Sequence, residues 1–263
     1  MKKYLFIFKS EIMSNITYIA NILTGFIGYF IMIYIFMNLW KYIYSDPSEV
    51  INGYSMSQMI WYVIVAEILW SVTGGRKLCA RISNDVKSGN IAYNINKPYS
   101  YIGYILSSHL GLCAIRAIIY LVLGMVVGYI FLGSFPHLNV ISVISVLITM
   151  LLSIIISVFL ITSIGLISFF IEDSKPFYWL YSKFILVIGT IFPIEFFPLW
   201  ARGIITYSPI YAISYGPAKL FVNFSYTNLI YVITSQLFYI IISYMLCKLI
   251  YKKGVKNINV NGG

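Results

Sequence analysis

Six stretches of this sequence, roughly 19–40, 58–75, 104–132, 140–171, 179–196 and 227–250, are apolar over about the length a helix needs to cross a hydrocarbon layer. Strands of a membrane barrel would be shorter and would alternate apolar with polar residues. The runs do not alternate, so they predict an all-α integral membrane protein of six transmembrane helices. Composition agrees. Of 263 residues, 60% are hydrophobic and only 10% are charged, with a mean hydropathy of +0.87. A water-soluble domain carries roughly 25% charged residues. No charged stretch is long enough for a separate soluble domain, so 1–263 reads as a single transmembrane domain. The third and fourth runs exceed the bilayer requirement and are expected to tilt or to project beyond it.

The net charge of +10 does not describe a nucleic-acid surface. The basic residues lie between apolar runs, where they orient a membrane protein and meet anionic headgroups. An N-in, C-in arrangement puts fourteen of the eighteen Lys and Arg residues on the cytoplasmic side. Lys41, Arg202 and Lys219 fall outside, and Arg116 falls within a span. Lys2 and Lys3 resemble the start of a signal peptide, but Lys9 and Glu11 interrupt the apolar run, so no cleavage is expected. Residues 3–17 read as an interfacial helix, or more plainly as an extension of the first span. Cys79, Cys113 and Cys247 lie in or beside spans and read as small apolar residues; no metal site is expected.

Catalytic signals are missing. The chain has no G-x-x-x-x-G-K-[ST] loop, no H-E-x-x-H and no cysteine pair at metal spacing. Its two histidines, His109 and His137, have no carboxylate nearby in sequence. Three other features could carry function. The segment RKLCARISNDVKSGNIAYNINKPYS, 76–100, is the one long charged stretch facing the cytoplasm. Gly89 is a plausible stop for a short helix over about 77–88, and Pro98 holds Lys97 extended. Such a segment reads equally as a docking helix and as a solvated basic loop. Glu67 and Arg116 are the charges deepest in spans; at matching depth they could pair, as a structural bridge or as a proton- or substrate-binding site. Finally, GTIFPIEFFPLWARGIITYSPIYAISYGPAKLF, 189–221, holds Pro193, Pro198, Pro209 and Pro217. Proline breaks helices, and broken apolar backbone between spans five and six suggests a re-entrant hairpin over 189–217 with Glu195 near its turn; the plainer reading is an interfacial aromatic loop. The G-x-x-x-G at Gly124 and Gly128 is too common a match to assign an interface.

In their order these features resemble the type-2 ABC exporter permeases, closest to a bacterial branch in which two small, diverged permeases serve a separate ATPase. The resemblance covers nearly the whole chain. It rests on Asp85, Gly89, Ile91, Lys97 and Pro98 in the loop, and on Gly189, Phe192, Pro193, Phe197 and Pro198 in the broken segment. Asn96-Lys97-Pro98 departs from the Arg expected before the proline. The resemblance implies an ATP-driven export subunit in the bacterial cytoplasmic membrane whose 77–98 coupling loop docks cytoplasmic ABC ATPase subunits, through Asp85, Val86, Lys87, Gly89 and Ile91. It further implies a second permease, identical or diverged, with ATP and Mg in the ATPase and no cofactor in this chain. Two other classes compete. One is a proton-coupled secondary transporter using Glu67 and Arg116, though such folds carry paired broken helices and only one broken segment is present. The other is a non-transporting scaffold or immunity protein.

Overall fold

A computed structural model describes residues 2–261 apart from 47, 96, 137–138 and 172, so His137 and Asn96 lie outside the described residues. The fold is almost wholly helical. Among the described residues, five helices are long and apolar enough to cross a membrane. They are α2 (Ile19–Ile43), α3 (Met56–Thr73) continued by α4 (Gly75–Lys87), α6 (Tyr101–Leu132), α7 (Val140–Leu166, extended to Phe169 by a tight turn) and α11 (Tyr226–Asn261). Between them run α1 (Lys2–Thr17), α5 (Asn90–Ile95), α8 (Lys175–Phe184), α9 (Leu199–Thr206) and α10 (Gly216–Val222).

The helix starts follow local chemistry. Ser55 and Gln58 form a reciprocal cap at α3, with the Gln58 N–H donating to Ser55 Oγ at 3.3 Å and the Ser55 N–H donating to Gln58 Oε1 at 3.0 Å. Asn139 and Ser142 repeat the device at α7. Before α3, Asn52 and Gly53 adopt positive φ in the turn of a two-residue hairpin, β1 (Val50–Ile51) and β2 (Tyr54–Ser55), as an Asn-Gly turn favours.

Side-chain contacts define two ends of the bundle. At the basic end, the Lys3 ammonium donates to the Pro98 carbonyl and the Ser100 N–H donates to Tyr4 Oη at 2.9 Å. The Tyr101 and Tyr251 rings stack at 5.9 Å. Thus α1, the 76–100 segment and the C-terminal part of α11 share one end. At the aromatic end, the Tyr44 hydroxyl donates to the Tyr54 carbonyl at 2.7 Å and the Trp61 indole to the Ser134 carbonyl at 3.0 Å.

Helix α1 has no buried residue and lies against α6, where Gly103 and Gly111 leave room for Tyr4, Phe8 and Glu11. Its Leu5, Phe6 and Met13 remain exposed. The second apolar run does not stop at 75 but bends at Gly74 and continues as α4. The last helix runs well past the expected 250, because nothing breaks it and Gly254 packs on the Phe169 ring. The expected 179–196 run begins at Lys175 and ends at Ile191, where the helix has widened before Pro193.

Candidate functional site

The 76–100 segment is two helices braced on the bundle. Helix α4 is amphipathic: Leu78, Cys79, Ile82 and Ser83 are buried, and Ile82 packs where Gly165 of α7 has no side chain. The Ser168 hydroxyl lies 2.8 Å from both Ser83 Oγ and Ser174 Oγ, tying α4 to the turn after α7. Helix α4 ends at Lys87, and Gly89, at φ +73°, makes the left-handed turn into α5.

The residues singled out in this segment divide by exposure. Ile91 is fully buried and Val86 half-buried. Asp85 accepts a 2.8 Å hydrogen bond from the Tyr101 hydroxyl. These three hold the segment in place. Lys87 and Gly89 are exposed, and Lys87 lies 3.7 Å from Asp173. The Lys175 backbone N–H, with the Lys87 and Lys175 ammoniums, holds the Asp173 carboxyl below the usual carboxylate range. Lys97 donates to Asn94 at 3.1 Å and sits 4.5 Å over the Tyr93 ring. Pro98 is exposed, its carbonyl taken by Lys3. Sequence reasoning passed over Tyr93, which is 70% exposed and is the largest apolar side chain that α5 offers to solvent. An aromatic between asparagines in a polar loop was the available signal.

Glu67 and Arg116 do not meet. Neither belongs to any of the ion pairs among the described residues. Glu67 Oε1 accepts from the Ser71 hydroxyl at 3.1 Å, one turn along the same helix, while Oε2 has no partner. The Arg116 side chain instead reaches the bend at Gly74, and its buried Nε has no hydrogen-bond partner. Gly74 suits the bend through its φ of +51°, and the Arg116 guanidinium occupies the space beside it. The bend borders a cavity of about 1120 Å³ between α2, α3, α4, α6 and α8.

The proline-broken segment satisfies its backbone with side chains from elsewhere. The widened helix ends in extended backbone at Phe192, and Pro193 has no N–H to offer, so the Gly189 carbonyl meets no helical donor ahead of it. That carbonyl accepts instead from the Tyr62 hydroxyl at 2.8 Å and the Ser214 hydroxyl at 2.7 Å. The same substitution occurs at Pro217. Residues Tyr211–Tyr215 form a widened turn, in which the Ala212 carbonyl would pair with position 217. It accepts instead from Ser153 Oγ at 2.9 Å and Gln236 Nε2 at 3.0 Å. Unpaired carbonyls are costly away from water, so these donors explain how the break persists among apolar helices. Tyr62→Phe or Ser214→Ala alone should cost about 0.6 kcal/mol, the mean for such bonds in membranes. The double variant orphans the Gly189 carbonyl and should cost about 2–3 kcal/mol, the upper part of the range for an unsatisfied buried group and more than the sum, by equilibrium unfolding in detergent.

The chain turns at Tyr207–Ile210 between α9 and the limb that ends in α10. The Tyr239 hydroxyl donates to the Tyr207 carbonyl, so this turn lies thirteen residues into α11, roughly 20 Å along it. Glu195 was expected near the turn but sits at the aromatic end, in the short helical turn Ile194–Phe196. There it accepts from Tyr215 at 2.7 Å, Lys219 at 2.9 Å and Tyr54 at 3.0 Å. The other residues singled out here are structural neighbours. Phe192 packs edge-on against Trp40 at 5.8 Å and against Phe197 at 6.4 Å, and Pro198 precedes α9. Cys79, Cys113 and Cys247 are buried and free.

The bundle and its apolar surface define a multi-pass membrane protein. The family model for ABC-2 family transporter proteins matches residues 29–262, nearly the whole bundle from α2 onward. The chain therefore belongs to the ABC-2 transporter family and is a membrane permease of an ABC transporter. Membership implies association with ABC ATPases. No curated protein matches the chain.

Proposed function

We propose that this chain is the membrane-spanning subunit of an ATP-driven exporter, that the basic end is cytoplasmic, and that an ABC ATPase docks there on α4 and α5. The observation that carries the reading is the seating of α5: Ile91 is buried in the bundle while Tyr93 of the same short helix is 70% exposed. A docked protein that moved Tyr93 would move a braced element rather than a loose loop.

The rest of the reading follows the helices. Five long helices and the shorter run Lys175–Ile191 make six crossings with both ends in the cytoplasm, and α1 lies in the inner interface. The Leu199–Val222 hairpin is re-entrant from outside. Its exposed Leu199, Trp200 and Ile204 face lipid or a second permease, identical or diverged. Asp85, Val86 and Ile91 anchor the coupling segment, and Lys87, Gly89, Lys97 and Pro98 flank the docking face. ATP and Mg stay with the ATPase, so this chain contributes only the path and the lever. A displacement of α5 passes along α4, which is tied to α7 by Ile82, and reaches Gly74, the residue that absorbs a change of backbone angle. The Gly74 bend borders the large cavity, so docking and cavity shape are coupled. Tagged chain purified in mild detergent should retain an ABC ATPase at stoichiometric amounts. A chain that purifies alone, yet transports on a proton gradient, would overturn the reading.

A further inference from the structure

The charged part of the wall of the cavity beside Gly74 is mostly basic. Among the described residues, Arg76, Lys77, Arg116, Lys175 and Lys183 line it, with the acid Asp173 beside them. Asp173 is already engaged, 3.7 Å from Lys87 and 4.0 Å from Lys175. Glu67 is not part of the wall and faces Ser71. Arg116 is the one cation that comes from the middle of a spanning helix. It is half-buried, and its Nε has no partner. A guanidinium offers a planar fork of donors that fits phosphate or carboxylate.

Depth and shape narrow the ligand further. Gly74 follows the eighteen residues of α3, about 27 Å from the aromatic end, close to the roughly 30 Å thickness of the hydrocarbon. With the basic end cytoplasmic, as proposed above, Arg116 stands at the level of the inner-leaflet headgroups. Helix α2 contributes Asn21 and Gly25 to the cavity wall, and α8 contributes Pro176, Tyr178 and Trp179. Part of the wall is apolar: Trp70, Pro176, Tyr178 and Trp179, the last 61% exposed. At about 1120 Å³ the space is far larger than a lone anion needs.

We propose that this cavity binds an anionic amphiphile, with its phosphate or carboxylate head against Arg116 and its apolar tail along Trp70, Tyr178 and Trp179. The inference rests on the permease reading for what the binding serves. It names the substrate class as acidic and lipid-like, and it disfavours cationic peptides, which five cations repel.

The test is binding to the purified full-length chain by native mass spectrometry, without an ATPase. Phosphatidylglycerol, phosphatidylcholine with the same acyl chains, and inorganic phosphate are titrated separately. Phosphatidylglycerol should bind at least about tenfold tighter than phosphatidylcholine, as expected for a charge-assisted contact. Arg116→Gln should abolish the preference, Arg116→Lys should keep part of it, and Lys41→Gln at the opposite end should leave it intact. Equal binding of the two lipids, or an undiminished preference in folded Arg116→Gln, would overturn the proposal. Phosphate binding as tightly as the lipid would reassign the site to a water-soluble anion and also overturn it. Should Arg116→Gln not fold, Lys77→Gln with Lys183→Gln, both exposed, must weaken phosphatidylglycerol at least about threefold; no change overturns it. Failure here leaves ATPase docking untouched, and loss of ATPase association leaves this binding result standing.

Discussion

Tyr93→Ala should lower ATP hydrolysis by the reconstituted complex at least about tenfold relative to the natural chain, with unchanged abundance and thermal stability of the permease. Exposed aromatics that seat in a partner pocket carry a disproportionate share of interface energy, commonly about 2 kcal/mol or more on truncation. Tyr93 is positioned for that role. Its ring is held by the Lys97 ammonium 4.5 Å away, and the helix beneath it is pinned by Ile91. The alanine variant removes only solvent-facing atoms, so a folding defect is not expected. Tyr42, 87% exposed at the aromatic end, provides the control: Tyr42→Ala should leave hydrolysis unchanged. Charge reversal at Asp85 would be a poorer probe, because it also breaks the bond from Tyr101 that anchors α6 to α4. Normal hydrolysis in Tyr93→Ala would move the docking face elsewhere.

Glu195→Gln should destabilise the chain by about 2–3 kcal/mol. Breaking a buried ion pair costs about 3–5 kcal/mol because the remaining charge is left uncompensated. The Lys219 and Glu195 side chains are 14% and 28% exposed, so solvent reduces that figure. The pair is not isolated. Lys219 also donates to Tyr54 Oη at 2.7 Å and lies 4.2 Å over the Tyr54 ring, and Arg202 donates to the Glu195 carbonyl at 2.7 Å. Glu195 thereby joins the β1–β2 hairpin, the Ile194–Phe196 turn, α9 and α10. Lys219→Met should cost a similar amount, and Glu195→Gln combined with Lys219→Met should cost less than the two singles added together. Unfolding in a detergent titration measures all three. Strict additivity would mean that the pair contributes nothing to the aromatic end.

Much of this fold was legible because lipid imposes simple rules. A run of about 20 apolar residues locates a crossing, and the basic residues cluster where the bundle gathers its own ends. Gly89 was readable as a stop because a left-handed turn after a helix favours glycine. The Gly74 bend was missed, although Gly74-Gly75 stands in plain view, because the loss of hydropathy at Arg76 looked like the end of the helix. Asn52-Gly53 was an equally available turn signal. Glu67 and Arg116 lie at different depths: Gly124 of α6 packs on Ile68, beside Glu67, whereas Arg116 lies eight residues, about 12 Å, further along α6 and reaches Gly74. The Glu195–Lys219 contact spans twenty-four residues and depends on the chain folding back through the turn at Tyr207–Ile210. The prolines announced a break; which carbonyls they orphaned, and that Tyr62 and Gln236 would serve them, required three dimensions.

The most direct test of the central claim is a photo-crosslinker placed at position 93, with position 42 as its counterpart, in cells that carry the cognate ATPase. The account predicts an ATP-sensitive crosslink to the ATPase from position 93 and none from position 42. A crosslink from position 42, or none from 93 in a complex that still co-purifies, would contradict it.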